Sequence, residues 1–213
     1  MGKLKVVWLC HFVNEQLNQR YHTCIQERAP WMNLFFNLIY KSPHFDIHVI
    51  APNLCTNEDD EFVYNRVTFH LYRYYFSFLP SRCANLCLAL TLGRGYAGKI
   101  KNIVKRIEPD LIHLFGSENL DYSPGIFPLI KKYPVLVSIQ GEISNAEIRG
   151  NIFGRTFMRS QIYNEKKINS RLKYFTLIDD KNWQQNFRTK YPGAEIFNMY
   201  FPTQMPYCTE QNR

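Results

Sequence analysis

An α/β chain built on a parallel sheet with helices on both faces is what this sequence predicts, and three observations carry that reading. Short apolar runs alternate with longer amphipathic stretches through the whole 213 residues, which is the pattern of repeated strand-helix-strand units. Several of the runs are continuously apolar, as strands buried on both faces are. Prolines and glycines fall mostly at the joints between runs.

Each element has a local reason. The run LKVVWLC (4–10) follows a basic start, and polar residues follow it instead of a small-residue cleavage site, so it reads as a first strand and not a leader. Gln16–Tyr40 reads as helix, and Pro43 stops it, because a proline disfavours helical geometry in the residue before it. The strands FDIHVIAP (45–52) and VTFHLYRYY (67–75) come next. Arg82–Glu108 is helical but carries Gly93, Gly95 and Gly98, which make it two helices or one with a break, and Pro109 closes it. PDLIHLF (109–115), PVLVSI (134–139), KYFTLI (173–178) and AEIFNMY (194–200) are the later strands, separated by helices over Ser123–Lys132, Thr156–Asn169 and Asp180–Lys190. Asp179 or Asp180 caps the last helix, Trp183 and Phe187 share one of its faces, and Pro192-Gly193 closes it.

Composition narrows the function. Hydrophobic content of 46% and charged content of 21% support a folded core, and aromatic content of 15% is high. Cys10, Cys24, Cys55, Cys83, Cys87 and Cys208 include no C-x-x-C pair and no zinc spacing, so they read as thiols in a reducing compartment and no metal is expected. No stretch reaches the roughly 20 apolar residues that cross a bilayer, which places the chain in the cytoplasm or peripherally on the inner face of a membrane. A net charge of +8 favours an anionic partner. The charge concentrates in Arg149, Arg155, Arg159, Lys166, Lys167, Arg171 and Lys173, with Glu165 the one acid among them. Lys99, Lys101, Lys105 and Arg106 read as a solvated helix face. The aromatic stretch Tyr72–Pro80 reads as core or partner contact, with a membrane patch as the alternative.

In open α/β sheets, ligands bind beyond the carboxyl ends of the strands. Three segments fall there. After the first strand come His11, Asn14 and Glu15, with Arg20 further on; after PDLIHLF come Gly116, Ser117, Glu118 and Asn119; after PVLVSI come Gln140, Gly141 and Glu142. Carboxylates and amides at these tips suit a hydroxylated ligand. Asn14 also reads as a helix cap, and Gly116 and Gly141 as positions needing backbone freedom. Glu118 and Glu142 sit on neighbouring tips as a possible carboxylate pair, with hydroxyl binding as the safer role. His113, inside its strand, reads as a hydrogen-bonded core histidine. The first loop has no glycine between Gly2 and Gly93, so it cannot supply the G-x-G-x-x-G of a dinucleotide site, and neither a P-loop nor a G-x-S-x-G elbow is present.

At these residues the chain resembles the amino-terminal domain of a GT-B glycosyltransferase of the bacterial family 4-like group. The resemblance rests on the strand opening at Lys3, EPDLIHLFGS, PVLVSIQGE, GRTFMRSQI and GAEIFNMYFP. The group often has His-Gly where this chain has Gln140-Gly141, and Pro-Asn-Gly-Val where Asn198 is followed by Met-Tyr-Phe. The resemblance implies that residues 1–206 are the acceptor-side half of a two-domain enzyme, that 207–213 begin a linker, and that a donor-binding domain lies outside this chain. It implies sugar transfer from a nucleotide-sugar, a co-substrate and not a cofactor, to a glycan or lipid-linked hydroxyl, with this half inactive alone. His11, Asn14, Glu15, Gly116, Ser117, Glu118, Gln140, Gly141 and Glu142 then line the cleft, and Arg149 and Arg155 contact phosphate. Two rivals stay open: a non-catalytic α/β protein binding an anionic lipid or polysaccharide, and a nucleic-acid binder, against which the absence of a recognised module argues.

Overall fold

Alternation along the first strand, β1 (Leu4–Leu9), sets up both halves of the core. Val7 and Leu9 face one layer with Ile112, Leu114, Val135 and Val137, while Val6 and Trp8 face the other with Ile47, Val49 and Phe115. Each large side chain buried this way contributes about 1.5–3 kcal/mol relative to exposure. The structure is a computed structural model, and it describes residues 2–23, 25, 30–74 and 79–200.

The remaining elements are α1 (Glu15–Tyr21), α2 (Pro30–Ile39), β2 (Phe45–Asn53), β3 (Asp60–Tyr64), β4 (Val67–Arg73), α3 (Ser81–Thr91), α4 (Arg94–Ile107), β5 (Leu111–Phe115), β6 (Val135–Ile139), α5 (Ile152–Asn169), β7 (Tyr174–Ile178), α6 (Lys181–Lys190) and β8 (Glu195–Met199). They form one eight-stranded sheet in the order β3-β4-β2-β1-β5-β6-β7-β8, parallel except for β3. Helices α1 and α2 contribute Leu17, Met32 and Phe36 to the Trp8 layer; α4, α5 and α6 contribute Ile100, Ile168 and Phe187 to the opposite one. The Rossmann-like sheet expected from the sequence is therefore present.

Four details differ from the sequence reading. β3 was not foreseen: it is a short edge strand, joined to β4 through Asn65 and Arg66, whose φ values of 50° and 65° make a tight hairpin turn without glycine. The stretch 16–40 holds two helices, the first ending at His22 in left-handed geometry (φ 51°). Over 123–132 a 3-10 turn at Ser123–Ile126 and further turns replace the expected helix, since Pro128 has no N–H to return to Pro124. α5 starts at Ile152, four residues earlier than Thr156, because the Asn151 side chain caps it by accepting from the Gly154 N–H at 3.0 Å.

Other joints are as expected. Asp180 caps α6, accepting from the Asn182 and Trp183 N–H groups. Gly93 separates α3 from α4 with φ 64°, and a Cβ there would run into the Leu120 backbone carbonyl. Residues 75–78 of the aromatic stretch, Cys24, Cys208 and the 201–213 segment lie outside the described residues.

Candidate functional site

The sheet order places the switch point at β1, which pairs with β2 on one side and β5 on the other. Registers Trp8 with His113 and Phe115 with Ser138 bring the ends of β1, β5 and β6 level. Beyond those ends lies a cavity of ≈ 230 Å³ lined by His11, Gly116, Glu118, Gln140 and Gly141, together with Trp31, Met32, Phe115, Asn119, Tyr122 and Ser138. Residues from four separate stretches of the sequence thus meet where the fold places ligands.

His11 brings a histidine–carboxylate pair to this cavity. Its Nε2 is hydrogen-bonded to Asp121 Oδ2, and its ring lies 5.1 Å from the Tyr122 ring. Asp121 is held by its own backbone, whose carbonyl accepts from the buried Tyr72 hydroxyl at 2.7 Å. The Tyr122 hydroxyl donates to the Phe115 carbonyl and accepts from Asn119 Nδ2, which fixes the loop after β5. With the proton on Nε2, directed at the carboxylate, the Nδ1 lone pair is left to accept. No hydrogen bond to Nδ1 is present among the described residues.

Glu118 lies on the same loop. Gly116, at φ 82°, sits under its carboxylate, whose oxygens would lie 2.9 Å from any Cβ at 116. Asn119 Nδ2 donates to Glu118 Oε1 at 2.8 Å. Burial pushes the Glu118 carboxyl above its ordinary value, the negative charges of Glu165 and Asp121 push it further, and His11 opposes them. The Glu118 carboxylate oxygens can accept from the hydroxyls of a ligand.

The other expected residues go elsewhere. Asn14 caps α1, its Oδ1 accepting from the Leu17 N–H at 2.9 Å. The Glu15 side chain lies outside the described residues. Ser117 is buried, and its carbonyl accepts from Asn164 Nδ2 at 2.7 Å. Glu142 does not pair with Glu118: its buried carboxylate turns to α6, accepting from Trp183 Nε1 and Lys190 Nζ at 3.1 Å each. Gln140 and Gly141 are exposed, with open space around a Cβ at 141. Arg149 pairs with Glu147 on the surface, Arg155 is exposed, and neither lines the cavity. Arg20 binds Asp60 at 3.1 Å and stacks on Phe62, tying α1 to the β3 edge. His113 is the core histidine expected: buried, its Nε2 is 2.6 Å from Ser138 Oγ, and burial pulls its pKa down to about 3. Among the described residues no group of three or more His, Cys, Asp or Glu side chains is placed to hold a metal ion.

Asp121 escaped the sequence reading, although it stands five residues after Gly116 in a segment already singled out. Its partner is 110 residues away, and only the adjacency of β1 and β5 joins them.

An eight-stranded, mostly parallel Rossmann-like sheet with a cleft at its switch point has the architecture of one domain of a GT-B glycosyltransferase. Among solved structures, sucrose-phosphate synthase from Thermosynechococcus elongatus matches with a TM-score of 0.60 and 8% identity, over 92% of this chain and 47% of that one. A UGT of Glycyrrhiza uralensis, solved with glycyrrhetinic acid 3-O-monoglucuronide, matches with a TM-score of 0.48 and 10% identity, over 92% of this chain and 48% of that one. The chain spans about half the length of these proteins. No family model matches it, and no curated protein does.

Proposed function

We propose that this chain is the acceptor-side half of a glycosyltransferase, of the family 4-like kind its sequence resembles. The observation that carries the reading is the His11–Asp121 pair at the carboxyl edge of the sheet, opening into a cleft with Glu118. In this reading Glu118 and Gln140 bind the acceptor around its reacting hydroxyl. His11 Nδ1 takes the hydroxyl proton as the oxygen attacks the anomeric carbon of a nucleotide-sugar, and Asp121 stabilises the imidazolium that forms. The new C–O bond replaces the bond from the anomeric carbon to phosphate, and the nucleotide leaves with the electron pair. The donor and its phosphates are assigned to a second half outside this chain.

Ile152 and Phe153 are exposed at the start of α5 beside Arg149, Arg155 and Arg159. Apolar tips among arginines fit an anionic membrane surface, and in this reading they bring the cleft to a membrane-borne acceptor. Among the described residues no helix is long and apolar enough to cross a membrane.

The test is transfer by the protein carrying both halves. His11→Ala is expected to lower kcat by about 10²- to 10⁴-fold, the usual contribution of a positioned base. Unchanged kcat would overturn the reading.

A further inference from the structure

The cleft does not end at the sheet edge. A second cavity, of ≈ 360 Å³, lies against the sheet face that carries Trp8, and Trp31, Phe115 and Ser138 line both spaces. Its walls are rings and aliphatic side chains. Trp8 stacks on Phe35 at 5.2 Å and meets Phe115 at its edge at 5.2 Å, and Trp31 lies 5.9 Å from Phe115. Leu111 and Leu136 extend the apolar surface along the strands.

Three polar side chains of the floor bond to one another or to Met199, while Asn198 accepts from Gln184 and Tyr200 donates to Asp179. His113 Nε2 lies 2.6 Å from Ser138 Oγ, Ser138 Oγ lies 2.6 Å from Thr176 Oγ1, and Thr176 Oγ1 donates to Met199 Sδ at 3.5 Å. A polyol such as a sugar would bury many hydroxyls here against few open partners, at a cost of about 1–3 kcal/mol for each one left unsatisfied. An apolar body needs no such partners, and a few hundred Å³ of ring-lined space suits it.

We propose that this second cavity receives the apolar body of the acceptor, an alcohol borne on a ring system or isoprenoid chain. Its hydroxyl reaches past Trp31 and Phe115 to His11. This rests on the transferase reading and narrows it: of a glycan and a lipid-like acceptor, the cavity selects the second.

The test is calorimetric titration of the 213-residue chain with 2-naphthol as the apolar alcohol and maltose as the polyol. Saturable binding of 2-naphthol at one site and no heat from maltose are expected. Leu136→Trp, which fills the cavity, should weaken naphthol binding by at least about tenfold, or 1.4 kcal/mol, while Lys105→Ala, exposed on α4 on the other side of the sheet, leaves it unchanged. If Leu136→Trp fails to fold, Leu111→Trp fills the same space from the neighbouring strand. Absence of saturable naphthol binding, equal binding by a folded filled variant, or preference for maltose overturns the proposal. The two claims separate in the protein carrying both halves. Naphthol bound in the cavity but never glycosylated would leave the site standing and remove the transferase reading; glycosylation of maltose with naphthol unbound would do the reverse.

Discussion

The loops after β5 and after β6 look alike in sequence, each an apolar strand ending in a glycine and a glutamate, yet they serve opposite ends. In the first, Glu118 stays over Gly116 and faces the cleft beside His11 and Asp121. In the second, Glu142 turns away and anchors Lys190 and Trp183 of α6. Two adjacent residues of α5 hold the pair apart: Asn164 grips the Ser117 carbonyl, and the Glu165 carboxylate accepts from the N–H groups of Ile143 and Ser144 at 3.0 and 2.9 Å. A polar strand tip therefore becomes a site residue only when the packing behind it leaves its side chain unclaimed. Glu142, itself buried, is satisfied by the exposed Lys190 amine and the half-buried Trp183 indole.

The sharpest way to break this comparison is kinetic. Asp121→Asn in the complete protein should cost about 10²- to 10⁴-fold in kcat, because the amide can present its N–H to His11 and reverse the tautomer. Glu142→Ala should leave kcat unchanged while lowering stability by about 1–2 kcal/mol, since it removes the charged hydrogen bonds to the half-buried Trp183 indole and the exposed Lys190 amine; urea unfolding reads this. A large kcat loss from Glu142→Ala would put it back in the cleft. Gly116→Ala should cost about 1–2 kcal/mol from the left-handed backbone and displace Glu118, seen as weakened acceptor binding.

Glu118 gives a pH test with a definite sign. Its folded pKa lies above the ordinary 4.5 because burial disfavours the charge. The folded state thus holds the proton longer than the unfolded state, and stability falls as pH rises from the unfolded value through the folded one. Glu118→Gln removes that penalty, so its Tm should exceed the wild-type Tm at pH 8 and match it at pH 4. A gain at both pH values would show that the charge is not the cause. The smallest effect is expected at the surface: Arg155→Ala should change stability by less than about 0.5 kcal/mol, while weakening sedimentation with anionic vesicles relative to neutral ones.

Much of the fold was legible because burial on both faces writes strands as apolar runs; all seven strands so marked, from 4–10 to 194–200, are present. β3 was not, because an edge strand carries no continuous apolar run: DEFVY opens with two acids, Asp60 and Glu61, directly after Asn57, Glu58 and Asp59. His11, Gly116, Glu118, Gln140 and Gly141 were legible as residues that follow strand ends. The partnership with Asp121 was not, since no local spacing encodes a contact set by strand order. Nor could the sequence say that Glu142 is spent on an ion pair with α6, because that partner is fixed by packing; the Asn14 cap, whose partner is three residues on, was legible.

The measurement closest to the central claim compares kcat for wild type, His11→Ala, Asp121→Asn and Glu142→Ala in the protein carrying both halves, with folding checked by Tm. The account predicts a loss of about 10²-fold or more in the two dyad variants, with KM little changed, and none in Glu142→Ala. Full activity in the dyad variants, or an equal loss in all three, would contradict it.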